Sequence, residues 1–162
     1  MTASHLLSRR VAPLVAVAAL GALLTGCSLL QGVIGGNDIP EGETDAFAIE
    51  IGDCLNDAEI SSEVSSVPLV DCSEPHDSEV YALTDTTTAD FPGDAALSAE
   101  LDAFCQGDVF TEFVGIPYAD SMYNTSGYFP SEQSWAAGDR ELLCTIYDGA
   151  GRVTGSLAGV AQ

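Results

Sequence analysis

Apolar and polar positions alternate on three different scales along this chain. Val11 to Leu24 is one 14-residue apolar run. Residues 28–45, SLLQGVIGGNDIPEGETD, follow, and Gly35, Gly36, Pro40 and Gly42 interrupt any helix or strand there. Short period-2 alternations then begin. Phe47, Ile49 and Ile51 alternate with Ala48 and Glu50, which predicts a first strand ended by Gly52-Asp53-Cys54. The serine-rich residues 56–66 read as a loop. Val67-Pro68-Leu69-Val70 predicts a second strand leading into Cys72. Pro68 has no N–H for a ladder, so it places that strand at a sheet edge or marks its start. Glu79 to Thr84 predicts a third strand, with Glu79, Tyr81 and Leu83 on one face and Val80, Ala82 and Thr84 on the other.

After a loop over 84–93 the period changes. Asp94 is placed to cap a helix, and Leu97, Leu101, Phe104 and Cys105 recur at helical spacing as one apolar stripe. Gly107 closes that helix and Asp108 is placed to cap a shorter one, with Val109, Phe110, Phe113 and Val114 inward and Pro117 as its stop. Residues 116–134 read as an aromatic but polar loop containing Tyr118, Tyr123, Tyr128 and Phe129. Two final strands are predicted: one with Leu142, Cys144 and Ile146 on a single face, then a turn at Asp148-Gly149-Ala150-Gly151, then Val153 to Leu157. Strands, helices and a hairpin together predict an α+β domain over 46–162, a mainly antiparallel sheet of about five strands packed on one or two helices.

The apolar run is too short for a membrane span, which takes about 20 residues. With Arg9-Arg10 before it, it fits the hydrophobic region of a signal peptide over residues 1–26. Its end, Leu24-Thr25-Gly26-Cys27, resembles a bacterial lipobox. That resemblance implies cleavage before Cys27 and a diacylglyceryl group on its sulfur, with residues 27–45 as a tether. As a flexible coil of about 18 residues the tether's ends lie roughly 23 Å apart. Two acyl chains suffice for stable anchoring. Ser8-Arg9-Arg10-Val11 does not continue into a full twin-arginine pattern, so the general secretory route is expected. The expected place is the outer face of the cytoplasmic membrane. Asn124-Thr125-Ser126 matches a eukaryotic glycosylation pattern and is discounted on the lipobox.

Charge narrows the partners. The chain has 162 residues, no lysine, and four arginines, two of which lie in residues 1–26. All 25 acids follow, against Arg140 and Arg152, so the mature part carries a formal charge of −23. Such a surface repels phosphates, which excludes nucleic acid as a partner and holds the domain off anionic headgroups. Basic proteins or cations match it better, although solubility or adaptation to salt is the favoured account of the acidity.

Besides Cys27 there are four cysteines, Cys54, Cys72, Cys105 and Cys144. In an exported chain they read as two disulfides with three connectivities open. Cys105 faces inward on its helix and Cys144 shares a face with apolar neighbours, so Cys105–Cys144 with Cys54–Cys72 is the expected pairing. In the loop-entropy picture the two contribute about 4 and 3 kcal/mol respectively.

Gly52-Asp53-Cys54-Leu55-Asn56, then Val70-Asp71-Cys72-Ser73-Glu74-Pro75-His76-Asp77-Ser78-Glu79-Val80, resembles the opening of the septum-formation domain of actinobacterial lipoproteins. Pro130, Trp135, Gly138-Asp139-Arg140 and Cys144 resemble its closing part. Cys72, Pro75, His76 and Glu79 keep the spacing of its Cys-x-x-Pro-His-x-x-Glu core, and the resemblance covers roughly residues 46–160. It implies a small extracytoplasmic module linked to division septa, with no established catalytic mechanism.

His76 is the sole histidine of the mature part and a candidate metal ligand or general base. With Cys72 in a disulfide, only Glu74, Asp77 and Glu79 remain near it, a poor set for zinc. Gly155-Ser156-Leu157 lacks a nucleophile elbow. The favoured reading is a Pro75-His76 turn with the imidazole hydrogen-bonded to Glu79 or to backbone. Arg140 is expected to pair with Glu79 or Asp71. Trp135 is expected in the core, and Tyr118, Tyr123 and Tyr128 as a binding surface on their loop. No metal or cofactor is expected. The expected function is a non-enzymatic, lipid-anchored interaction module whose partners are envelope or division proteins. The alternatives are a ligand- or peptide-binding lipoprotein using the aromatic loop, and, less favoured, a cell-wall enzyme using His76.

Overall fold

The computed structural model describes Ile39, residues 43–60 and residues 65–162. The expected signal peptide, Cys27 and most of the expected tether lie outside the described residues. Six strands form one sheet: β1 (Glu43–Asp45), β2 (Cys54–Leu55), β3 (Ser66–Val70), β4 (Ser78–Asp85), β5 (Asn124–Tyr128) and β6 (Glu141–Tyr147). Their spatial order is β1-β3-β2-β4-β6-β5, and every pair is antiparallel. Helices α1 (Asp94–Cys105), α2 (Asp108–Val114) and α3 (Glu132–Ala136) complete the α+β domain. No helix among the described residues is long and apolar enough to cross a membrane.

The central ladder is β4–β6, running from Glu79 opposite Ile146 to Asp85 opposite Glu141. One face carries the larger core: Leu97, Leu101 and Cys105 from α1, Phe110 and Val114 from α2, and Leu142, Cys144 and Ile146 from β6. Ile49, Leu55, Val67, Val80 and Leu143 form a smaller core. Each fully buried Leu or Phe contributes about 1.5–3 kcal/mol. The face-sharing predicted for Leu142, Cys144 and Ile146 holds. Strict alternation in β4 does not, because the register shifts between Val80 and Ala82. Tyr81 and Ala82 therefore both enter the larger core, while Val80 and Leu83 join the smaller one. The Tyr81 hydroxyl donates to the Cys105 carbonyl at 2.5 Å, and burial raises its pKa.

Both disulfides form as expected. Cys54–Cys72 ties the chain just after β3 to β2, and Cys105–Cys144 staples the end of α1 to β6.

Several local expectations are corrected. The strand predicted over Phe47–Ile51 is absent. Asp45 accepts the Phe47 N–H at 3.0 Å and starts a 3-10 turn over Ala46–Ala48, leaving Phe47 68% and Ile51 59% exposed. The pairing goes instead to β1, inside the stretch read as tether, where Ser66 also donates to the Glu43 carboxylate. Pro68 does not sit on an edge strand, because β3 has neighbours on both sides; its carbonyl accepts the Asn56 N–H at 3.0 Å. Lacking an N–H to return, Pro68 marks where the ladder to β2 ends.

The N-caps of α1 and α2 are Gly93 and Gly107, so Asp94 and Asp108 are first-turn residues that act on the helix dipole rather than as caps. The α2 helix stops at Gly115, whose φ of 99° is left-handed, before Pro117 is reached. The aromatic stretch 116–134 is no simple loop: it holds a 3-10 turn at Tyr118–Asp120, strand β5, and the start of α3, which Ser131 caps by accepting the Ser134 N–H at 3.2 Å. Strand β5 takes the place beside β6 predicted for Val153–Leu157. Gly127 permits it, since a Cβ there would lie 2.0 Å from the Leu143 oxygen. The predicted final strand is reduced to one bridge between Val153 and His76.

Candidate functional site

The residues of the Cys-x-x-Pro-His-x-x-Glu core come together where β4 begins. His76 and Val153 exchange both backbone hydrogen bonds, at 2.9 and 3.0 Å, and the Gly155 N–H donates to the Cys72 carbonyl at 2.6 Å. The C-terminal segment thereby closes over this corner. Glu79 is 2% exposed, and its two carboxyl oxygens accept from the Ser156 hydroxyl and the Leu157 N–H, each at 2.6 Å. His76 is fully buried. Its Nδ1 lies 2.9 Å from the Glu74 carbonyl, which can only accept, so Nδ1 carries the proton. Its Nε2 is buried with no hydrogen-bond partner.

This agrees with the turn and backbone contact expected for Pro75-His76. Ligand atoms of Cys54, His76 and Glu79 lie within 4.8 Å of one another. The Cys54 sulfur, however, is spent in its disulfide, and both Glu79 oxygens are already engaged. The Ser156 hydroxyl gives its proton to Glu79 rather than to His76. Such a corner holds the start of β4 and the C-terminal segment together.

Alongside it lies the ion pair Arg152–Asp77, at 2.7 Å. Burial pushes the Asp77 carboxyl up, but the Arg152 hydrogen bond, the Ala58 N–H and the Arg152 charge together hold it below its ordinary value. Arg140 makes neither of the pairings expected of it. Its guanidinium lies 3.7 Å above the centre of the Trp135 ring and donates to the Trp135 and Asp139 carbonyls, at 2.9 and 2.5 Å. It serves as a clasp on the C-terminal end of α3. Trp135 is buried, as expected, with Phe91 against its edge.

The three tyrosines do not gather into a platform. Tyr123 is buried in the larger core, and Tyr118 packs edge-on against Phe110. Tyr128 is half-buried, as Tyr118 is. Its hydroxyl donates to Asp57 at 2.9 Å, and burial first, then the Asp57 charge and hydrogen bond, raise its pKa.

Tyr128 opens onto a cleft of about 1010 Å³ at the far end of the β4–β6 ladder. Phe91, Tyr128 and Phe129 give it aromatic walls, and Asp57, Asp139 and Glu141 give it carboxylates. Asp94, Glu132 and the exposed Phe47 stand along it as well. Glu141 faces Asp85 directly across the ladder, a like-charge pair. Burial, then Asp139, then Asp85 raise the Glu141 pKa. The expectations for this region named Tyr128 but missed the acids. Ser131 followed by Glu132 was the available signal, because it starts the helix that brings Ser134 and Asp139 to the cleft.

Residues 51–162 match the model of a family described as septum formation. No curated protein and no solved structure matches the chain.

Proposed function

The chain belongs to the septum-formation family, and on that premise we propose that it is a lipid-anchored envelope protein whose domain acts as a non-enzymatic interaction module in septum formation. The observation that carries this reading is the family match over residues 51–162, which takes in both disulfides and the whole His76–Glu79 corner. One feature favours an interaction module over a wall enzyme using His76: the one histidine of the mature part is sealed. Anchoring rests on the Leu24-Thr25-Gly26-Cys27 signal.

A small epitope after Gln162, imaged in dividing cells beside a Cys27→Ala copy, tests both halves. The expected result is enrichment at midcell that requires Cys27. An even peripheral signal overturns the division role, and membrane retention of the Cys27→Ala copy overturns the anchor. The peptide- or ligand-binding reading is favoured by the cleft alone, since Tyr123 is buried in the core and Tyr118 packs against it.

A further inference from the structure

We propose that the cleft beside β5 and the start of β6 binds an extended basic segment of a partner protein, in which lysine or arginine alternates with apolar residues. This names the partner chemistry of the interaction module and rests on that reading for the partner's source.

Charge complementarity commits the occupant. Among the described residues the cleft is lined by carboxylates and by no cationic side chain. The chain's own cations are placed elsewhere, with Arg152 on Asp77 and Arg140 against the Trp135 face. Glu141 is half-buried, opposite Asp85 and two residues from Asp139, whose Oδ1 accepts the Glu141 N–H at 3.0 Å. Burial and those two acids raise its carboxyl pKa, so a cation arriving here relieves a repulsion the fold itself sustains.

The aromatic walls add a second requirement. Phe91, Tyr128 and Phe129 line the cleft with aromatic surface for the methylene stems of long cationic side chains, and Phe47, 68% exposed, offers apolar surface to the residues between them. A phosphate-bearing polymer is repelled by the same acids. So is a second copy of this chain, whose described surface carries the same sign.

The test uses the full mature chain from residue 27, with Cys27→Ser to omit the lipid. The probe is a synthetic octapeptide alternating lysine and leucine, titrated by calorimetry and by amide shifts. Controls are the same peptide with glutamine for lysine, and spermidine. The expected result is shifts at Gly127, Tyr128, Ser134 and Glu141, with binding weakened about tenfold by Glu141→Gln and several-fold by Phe47→Ala. Asp102→Asn, exposed on α1 and away from the cleft, is expected to change binding by less than about twofold, because a distant exposed charge is screened by salt.

Absence of binding overturns the proposal. So does equal weakening by Asp102→Asn and Glu141→Gln, which reduces the effect to net charge. Equal binding of the glutamine peptide removes the role of charge, and equal binding of spermidine reassigns the cleft to small polyamines. Peptide binding without midcell enrichment would instead strike only the septal reading.

Discussion

Glu79 and Glu141 stand near opposite ends of the same antiparallel ladder, and their surroundings could hardly differ more. Glu79 sits beside the first residue of β4, 2% exposed, with both oxygens accepting hydrogen bonds from the C-terminal segment. Glu141 opens β6, half-buried, facing Asp85 and neighbouring Asp139. One acid is spent on joining residue 79 to residues 156 and 157. The other is held in a crowd of its own sign beside an open cleft. A buried carboxyl with its donors supplied is a structural part. A half-buried one without a counter-charge is a place where the fold tolerates a cost, and such places attract ligands.

Three measurements break or sharpen that contrast. The largest effect is expected from Glu79→Ala, which leaves the Ser156 hydroxyl and the Leu157 N–H without their acceptor. A loss of about 3 kcal/mol in urea unfolding is expected, with Glu79→Gln recovering part of it. A loss below about 1 kcal/mol would mean that water replaces the carboxyl and that the corner is not sealed.

The Arg152–Asp77 pair comes next, because Arg152 is 54% exposed and solvent screens it. Asp77→Asn is expected to cost less than about 1 kcal/mol at neutral pH. The Asp77 carboxyl is lowered below its ordinary 3.8. Its contribution is therefore present above that value and fades as the pH falls through the lower folded-state pKa. A thermal-unfolding difference between wild type and variant that did not shrink as the pH fell below 3.8 would refute the pairing.

The smallest effect, and the opposite sign, is expected for Glu141→Gln. Its carboxyl is raised above 4.5, so the folded chain holds that proton more tightly than the unfolded chain does. The charged form thus costs stability above the folded-state pKa, and the cost vanishes below 4.5. The variant is expected to melt slightly higher than wild type at pH 7 and level with it at pH 3.5. A lower melting temperature at pH 7 would place Glu141 among the structural acids with Glu79.

Legibility followed the range of the forces involved. The stripe Leu97, Leu101, Cys105 and the face Leu142, Cys144, Ile146 were readable because burial repeats at a fixed spacing within one element. The cysteine pairing was readable because those two faces must meet. Phe47–Ile51 misled because alternation is only a burial pattern, and Asp45 turns the chain before those residues can pair. Strand β5, NTSGY, was invisible because its place depends on Gly127 fitting under the Leu143 carbonyl, a contact with a residue far along the chain. Pairing Arg140 with Asp71 or Glu79 failed for the same reason. Charge names candidates, but the ring of Trp135 and two carbonyls were nearer.

By itself, the sequence determined the α+β class, the helical faces, the two disulfides and the family, because each is written in residue types at short or characteristic spacings. It also determined the chain's acidity. Only the tertiary structure decided which acids are used up and which stand open. Glu79 meets its donors across 77 and 78 residues of chain, and Glu141 meets Asp85 only through strand pairing. No local pattern encodes such meetings, since the energy of a buried or crowded charge depends on whatever folding brings beside it.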